Sequence, residues 1–344
     1  MWRGLRRWVD TVTLRGMSHR YRERRTQQEM DLLRHYLGLL YRDGTLTREN
    51  VQTVGAERTR DKVDVQSLVV QDAVQDQVAQ LMSSVLEADR AVFRPGDRSR
   101  GERLAEKQAS VRQRLREAHG FDVRVSQSGA HEAGMGVHLG GRAEMGTVVA
   151  FYAGVVVLPK YYRRMPGYPD QVTDLNDYLI ARYDQSIVDG KDWKAPEGVD
   201  RPTMNVRYAD GDDEAGLDAA RVLNPLAVGH YVNHGTPNVL GYAYNFPVDT
   251  PRELHPYIPN RYLGAPGMFD PVKCLIRSYV LLTTRPVQDE ELFLDYRYNP
   301  KATYPDWYVP VDEEESIRRW GVTDRELAFK AEREAEEAEA RRGE

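Results

Sequence analysis

The first third of the chain repeats its apolar residues at helical spacing. Three stripes recur at intervals of three or four residues, with longer steps in the third: Met30, Leu33, Leu37 and Leu40; Val70, Val74, Val78, Leu81 and Val85; and Leu104, Val111 and Leu115. Asp43-Gly44 interrupts the pattern after the first stripe, and Gly120 ends the third. This spacing predicts a helical region over residues 26–119 whose helices pack through these faces, with a linker at 94–101.

At Phe121 the period of the pattern changes to two. Phe121, Val123 and Val125 alternate with polar residues, which predicts a strand with one buried face. Residues 176–190 are typical of a hairpin that ends in an Asp189-Gly190 turn. A loop insertion is predicted at 191–223. Five prolines within 250–271 predict a second insertion that is extended rather than a strand.

The remaining pattern completes a mixed α+β fold. Residues 272–284 are apolar enough for a further strand, and residues 311–344 have the charge pattern of a helix that is polar on nearly all sides at its end. The chain of 344 residues is long enough for one core of ordinary size with a helical appendage. We therefore expect a helical N-terminal region followed by a small sheet domain over residues 120–310.

Charge and cysteine content narrow the class of protein. The net charge of −5 gives no global attraction to nucleic acid. The single cysteine, Cys274, excludes an intramolecular disulfide and a cysteine-rich zinc cluster, and we interpret it as a buried small hydrophobe rather than a nucleophile. No apolar run has the length of a membrane span, so we expect no transmembrane segment.

Residues 1–25 form a basic leader. Eight arginines stand against only two acidic residues, Asp10 and Glu23, and apolar residues recur there at helical spacing. Such an amphipathic, arginine-rich start is typical of mitochondrial targeting segments. The alternative is a basic arm that contacts a partner, for example RNA phosphates, and the two roles can coexist.

Two polar motifs stand out in the sheet domain. The first is Asn233-His234-Gly-Thr-Pro-Asn238, which alone is as typical of a tight loop as of a site. The second is Asp289-Glu-Glu-Leu-Phe-Leu-Asp-Tyr296. In this order the pair resembles the Asn-His-Ser-Cys-x-Pro-Asn and Gly-Glu-Glu-Leu-x-x-Asp-Tyr motifs of SET-domain methyltransferases. The run from Asn224 to Asn233 is most similar to the divergent subfamily of SET domain-containing protein 9.

The resemblance covers about residues 120–298, half of the chain, and it implies a fold and a cofactor. The implied fold is the SET fold, in which small twisted sheets surround a knot-like threading of the second motif under a loop. The implied cofactor is S-adenosylmethionine. The residues that match the family's cofactor-binding positions are Gly134, Met135, Gly136, Tyr231, Asn233 and His234. Without the other motifs, the Gly134-x-Gly136 pair would be read as a turn.

Two tyrosines match the family's positions beside the methyl-transfer pore. Tyr296 corresponds to the tyrosine of the Asp-Tyr motif, which orients the acceptor amine, and Tyr152 corresponds to the Tyr-x-Gly strand. Transfer of a methyl group to an amine needs an in-line approach and a neutral nucleophile, and it needs no metal. Without the other motifs, Tyr152 would be assigned to a core aromatic and Tyr296 to one face of a buried strand.

Several departures from the family pattern bear on the site. Gly235-Thr236 replaces the usual Ser-Cys, and no Cys-x-Cys segment follows the domain. We expect the aromatic segment 298–310 to close the site over the adenine of the cofactor. We predict no metal, because His230, His234 and His255 lack the usual companion ligands.

The sequence leaves three functions open. The first is an S-adenosylmethionine-dependent protein methyltransferase of mitochondria whose substrate is a protein that presents lysine. The second is a catalytically silent SET-like component of a large mitochondrial ribonucleoprotein, acting in ribosome assembly. The third differs from the first only in the acceptor, which is a histidine or another nitrogen.

Overall fold

The computed structural model describes residues 14–92, 100–130, 133–165, 167–168, 176–191, 224–268, 270–301 and 304–323, with residues 328 and 331. It is a mixed α+β structure with small antiparallel and mixed sheets, as the sequence predicts. Residues 94–99 of the predicted linker, the insertion at 192–223, the first thirteen residues and most of the C-terminal tail lie outside this description. Residues 100 and 101 of the predicted linker are helical. No helix in the described part of the chain is long and apolar enough to cross a bilayer.

Four helices are described. Helix α1 is Leu14–Arg42, α2 is Val63–Val92, α3 is Arg100–His119 and α4 is Glu313–Trp320. A π-helical turn, Val51–Gly55, continues into the short helical turn Ala56–Arg58 between α1 and α2. Helix α1 continues across residue 25, where the sequence pattern predicts the end of the leader.

The helices pack through the predicted stripes of α2 and α3. The five apolar residues of the α2 stripe are all buried, as are Val111 and Leu115 of α3. The buried face of α1 differs from the predicted one. Leu32, Tyr36 and Leu39 are buried with Leu40, whereas the other three predicted residues are half-buried. The difference arises because α1 also buries two polar residues, Asp31 and His35, which meet polar partners on the sheet domain.

Twelve strands are described: β1 Phe121–Gln127, β2 Met135–Ala143, β3 Val148–Phe151, β4 Gly154–Val157, β5 Leu179–Ala181, β6 Ile187–Asp189, β7 Asn233–His234, β8 Val239–Phe246, β9 Asn260–Tyr262, β10 Ile276–Thr283, β11 Val287–Gln288 and β12 Glu291–Leu294.

The strands form three small sheets. The first has the order β1-β2-β12-β7, with β11 also paired to β2; the second is β3-β10-β8; the third is β5-β6-β4-β9. The strand that begins at Phe121 and the strand predicted within 272–284 are both confirmed. Helix α2 contacts β3 and β8, so the helices and the second sheet bury one continuous apolar core.

Three local predictions need correction. The hairpin β5–β6 exists, but its turn is Arg182–Ser186, because the Arg182 N–H bonds to the Ser186 carbonyl; Asp189 ends β6. The second insertion contains a strand, β9, since Asn260–Tyr262 lies between prolines and pairs with β4 in parallel. Cys274 is half-buried rather than buried, and its thiol lies 3.7 Å from the Tyr262 hydroxyl.

Candidate functional site

Strand β12 brings the two motifs together. Its first half pairs antiparallel with β2, and its second half pairs in parallel with β7, which consists of Asn233 and His234. The side chain of Asn238 fastens the crossing, because its amide donates to the Glu291 carbonyl at 2.7 Å and accepts from the Phe293 N–H at 2.8 Å. The two motifs, far apart in the chain, therefore share one sheet.

A buried carboxylate lies between β2, β7 and β12. Glu291 is 9% exposed, and its carboxylate accepts hydrogen bonds from Ser128 Oγ at 2.6 Å and from the Gly129 N–H at 2.9 Å. Asn233 Nδ2 donates to the Met135 carbonyl at 3.0 Å and lies 3.4 Å from Glu291 Oε1. The Met135 carbonyl, the Asn233 amide and the Glu291 carboxylate thus converge, and we call these three groups the polar spot.

Gly136 is the point of closest approach at this spot. A Cβ on Gly136 would collide with Glu291 Oε1 and would lie 3.1 Å from Asn233 Nδ2. Gly134, with φ +67°, has open space around it. The sequence predicts that this Gly-x-Gly pair lets the backbone approach a ligand; here the carboxylate of Glu291 makes that approach.

His234 connects the site to the aromatic segment 298–310. Its Nδ1 accepts a hydrogen bond from the Tyr296 N–H at 3.3 Å, so its proton belongs on Nε2, which donates to the Val309 carbonyl at 2.7 Å. The imidazole stacks on the Tyr308 ring with 4.5 Å between centroids. The aromatic segment therefore covers His234, and its closure over an adenine stays a prediction.

Tyr296 points back toward the first motif. Its hydroxyl donates to the Val232 carbonyl at 3.0 Å, directly before Asn233. Burial raises the pKa of Tyr296 to about 12, and the neighbouring Tyr298, Tyr178 and Asp177 side chains add to the effect. The phenol therefore stays protonated at neutral pH.

Tyr152 lies at the end of β3, buried between two aromatic rings. Its ring meets those of His230 and Tyr279 edge-on, at centroid distances of 6.3 and 6.4 Å. Burial raises the pKa of Tyr152 well above its ordinary value, with Tyr296 and the Asp189 carboxylate as the next causes.

Tyr231 and two further histidines, His230 and His255, have contacts of their own. Tyr231 is half-buried against the core, with its ring 4.3 Å from that of His230. His255 contacts the Thr250 carbonyl at 2.9 Å. Among the described residues, no three His, Cys, Asp or Glu side chains come together in a way that would hold a metal ion.

No family model matches the chain, and no curated protein matches it. The motifs and their geometry are therefore the basis for assigning a function. Two surface clefts of about 310 and 210 Å³ border α3, and neither is lined by residues of the site. The polar groups that converge at Asn233 and Glu291 lie outside both clefts.

Sequence reasoning missed three contributors to the site: Glu291, Ser128 and Gly129. Glu291 lies within the second motif, but nothing in the pattern assigns it a partner, because Gly129 is 162 positions away. Asp177 and Tyr178, both exposed at the start of the β5–β6 hairpin, were also missed. Only their proximity to Tyr296 in space identifies them.

Proposed function

We propose that this protein is an S-adenosylmethionine-dependent methyltransferase with a SET fold, which methylates a lysine side chain of another protein. One observation carries the proposal: β12 joins the polar spot at Asn233 and Glu291 to the Tyr296 hydroxyl, which bonds to the residue before Asn233. A cofactor-holding set and a methyl-transfer set are thereby adjacent.

The residues at the polar spot fit the amino-acid end of the cofactor. That end carries an ammonium group and a carboxylate, which need acceptors and donors respectively. The Met135 carbonyl and the Glu291 carboxylate supply acceptors, and the Asn233 amide supplies a donor. The aromatic rings around His234 suit the adenine. When bound, the cofactor supplies the methyl group on a cationic sulfur.

The tyrosines and the charge around them fit a lysine acceptor. Both phenols stay neutral at physiological pH, so their oxygens can hold an amine without adding a charge. Asp177 is exposed beside Tyr296 and Tyr298, and a carboxylate there attracts a protonated lysine as it arrives. Burial next to Tyr152 then favours the neutral amine that the transfer requires. This charge favours lysine over histidine.

Calorimetric titration of the full chain with S-adenosylmethionine tests the proposal, beside an Asn233→Ala variant. We expect micromolar affinity, about −8 kcal/mol, for the unaltered protein and a loss of at least tenfold in the variant. Gln113→Ala on exposed α3 is the matched control and should bind as the unaltered protein does. A folded protein that gives neither heat nor thermal stabilisation would refute cofactor binding.

A second function has one observation in its favour. The Glu291 carboxylate is already met by Ser128, Gly129 and Asn233, so its bonding capacity is largely used within the protein. That arrangement suits a catalytically silent component of a mitochondrial ribonucleoprotein, in ribosome assembly. Absence of cofactor binding in the titration favours it. The mitochondrial address rests on the leader at 1–25, and imaging of a fluorescent protein fused to those residues tests it.

A further inference from the structure

A short 3-10 turn after β4 carries exposed positive charge. The turn is Pro159–Arg164, and Lys160, Arg163 and Arg164 are all exposed on it. Lys273, also exposed, comes from the loop before β10. Within the part of the chain that the structure describes, no carboxylate forms an ion pair with any of these four cations. We call these four residues, with Tyr168, the basic turn surface.

The turn is held rigidly on a neighbouring loop. The Tyr161 ring lies between Lys160 Nζ, at 4.7 Å, and the Arg164 guanidinium, at 4.9 Å. The Lys160 ammonium and the Tyr161 hydroxyl both donate to the Ala265 carbonyl, at 2.9 and 3.0 Å. Lys273 Nζ donates to the Met268 carbonyl on the same loop at 3.1 Å. The charges are therefore held in fixed positions, which lowers the cost of binding.

Nearby acidic side chains do not cancel this charge. Asp270 pairs with Arg277 at 2.6 Å, and Asp184 pairs with the same guanidinium at 2.7 Å. Asp184 also pairs with Arg182 at 3.3 Å, so two buried arginines balance the two carboxylates. The surface stays positive although the whole chain has a net charge of −5. Such segregation of charge is typical of a binding face for a polyanion.

The exposed Tyr168 indicates which class of polyanion the surface binds. Tyr168 follows the turn, where its N–H bonds to the Met165 carbonyl, and it is 45% exposed. An exposed aromatic ring beside spaced cations offers stacking to an unpaired base as well as contacts to phosphates. We propose that the basic turn surface binds single-stranded nucleic acid through its phosphate backbone.

The basic turn surface shares no residue with the candidate methyl-transfer site. Tyr161 of the turn packs against the apolar cluster that contains Tyr152, so the two lie on neighbouring parts of the fold. The inference does not depend on cofactor binding, and its failure would leave the proposed function intact.

Fluorescence anisotropy with a labelled single-stranded 20-mer of uridine tests the inference on the full chain. For four phosphate contacts, log K should fall with log salt with a slope of about −3, at roughly 0.7 per contact. The Arg163→Glu/Arg164→Glu variant should bind at least tenfold more weakly, with a shallower slope. Arg48→Glu/Arg60→Glu makes the same change of charge in the exposed connection between α1 and α2, and it should bind nearly as the unaltered protein does.

Several results would overturn the inference, provided that circular dichroism shows both variants to be folded. Lack of RNA binding at 50 mM salt would do so. Equal effects of the two double variants would also do so, because the RNA would then be bound by another part of the chain, such as the basic leader. Duplex RNA that binds as tightly as the single strand would contradict the single-stranded specificity. Binding to phosphatidylserine vesicles without binding to RNA would assign the surface to a lipid instead. Retained binding of single-stranded DNA would support the shared backbone chemistry.

Discussion

Asp31 on α1 forms an ion pair with Arg297, the residue directly after Tyr296, at 2.7 Å. The same carboxylate lies 3.0 Å from Arg319 of α4 and accepts a hydrogen bond from the Tyr183 hydroxyl. Arg297 has φ +54°, a left-handed conformation that is costly for a residue with a Cβ. The N-terminal helices therefore hold the backbone beside the candidate catalytic tyrosine.

Replacing Asp31 with Asn should destabilise the fold strongly. The guanidiniums of Arg297 and Arg319 are largely buried. Loss of the carboxylate leaves Arg297 with Asp295 alone, at 4.0 Å, and Arg319 with Glu315 alone, at 2.9 Å. We expect the free energy of unfolding, measured with urea, to fall by about 3 kcal/mol. Asp72→Asn, at an exposed position on α2, should change it by less than about 0.5 kcal/mol. Similar losses in both variants would show that the buried cluster contributes little.

Acid should remove the contribution of Asp184. Burial opposes its ionisation, but Arg182 and the Ser186 hydroxyl lower its pKa to about 2. Because the folded pKa lies below the unfolded value near 4, the stabilisation is present above about pH 4 and is lost as the pH falls toward 2. The melting temperature of Asp184→Asn should lie below that of the unaltered protein at pH 6 and approach it near pH 2. A gap that is constant with pH would contradict this assignment.

Gly136→Ala should damage the polar spot, whereas Gly134→Ala should not. The new methyl group at residue 136 would displace Glu291, whose carboxylate is held by Ser128 and Gly129. We expect at least a tenfold loss of affinity for S-adenosylmethionine by calorimetry. At Gly134 there is room for the methyl group, and the positive φ costs about 1 kcal/mol of stability with affinity preserved. Equal losses of affinity would contradict a specific role for Gly136.

Tyr296→Phe should separate binding from transfer. Removal of the hydroxyl eliminates its bond to the Val232 carbonyl but leaves the ring on His234. We expect methyl transfer from radiolabelled S-adenosylmethionine to proteins of a mitochondrial extract to fall about 100-fold or more, with cofactor affinity unchanged. Tyr41→Phe, whose hydroxyl reaches the Thr47 carbonyl away from the site, is the control. Full activity in Tyr296→Phe would exclude the proposed role of the phenol.

The sequence predicts those parts of the fold that repeat locally. The stripes on α2 and α3 and the change of period at Phe121 follow from burial on one face, so the pattern locates them. The buried face of α1 differs from the predicted one because Asp31 and His35 are polar, and the pattern therefore assigns them to the solvent side. Their partners, which explain their burial, are distant in the chain. Strand β9 was missed because its pairing with β4 outweighs the neighbouring prolines. The finer assignment to the SET fold stays a prediction.

The candidate site likewise has residues that the sequence predicts and residues that it does not. The motifs name Asn233, His234 and Gly136, and the structure brings them to one sheet through β12. Tyr296, also named from the motifs, follows β12 and bonds to the Val232 carbonyl beside that sheet. Glu291 had no assigned role, because its partners come from the loop after β1 and no local pattern joins the two segments. The positions of Tyr231 and Tyr152 depend on core packing around His230, which a single sequence does not encode locally.

The parallel pairing of β7 with β12 also has a consequence for the order of folding. Asn233 reaches partners 98 positions earlier and 58 positions later in the chain. Contacts of such long range form slowly, because the intervening loops must close first. During synthesis, the polar spot cannot form until the segment through Leu294 has left the ribosome. A chain that has emerged only as far as residue 290 therefore lacks the polar spot.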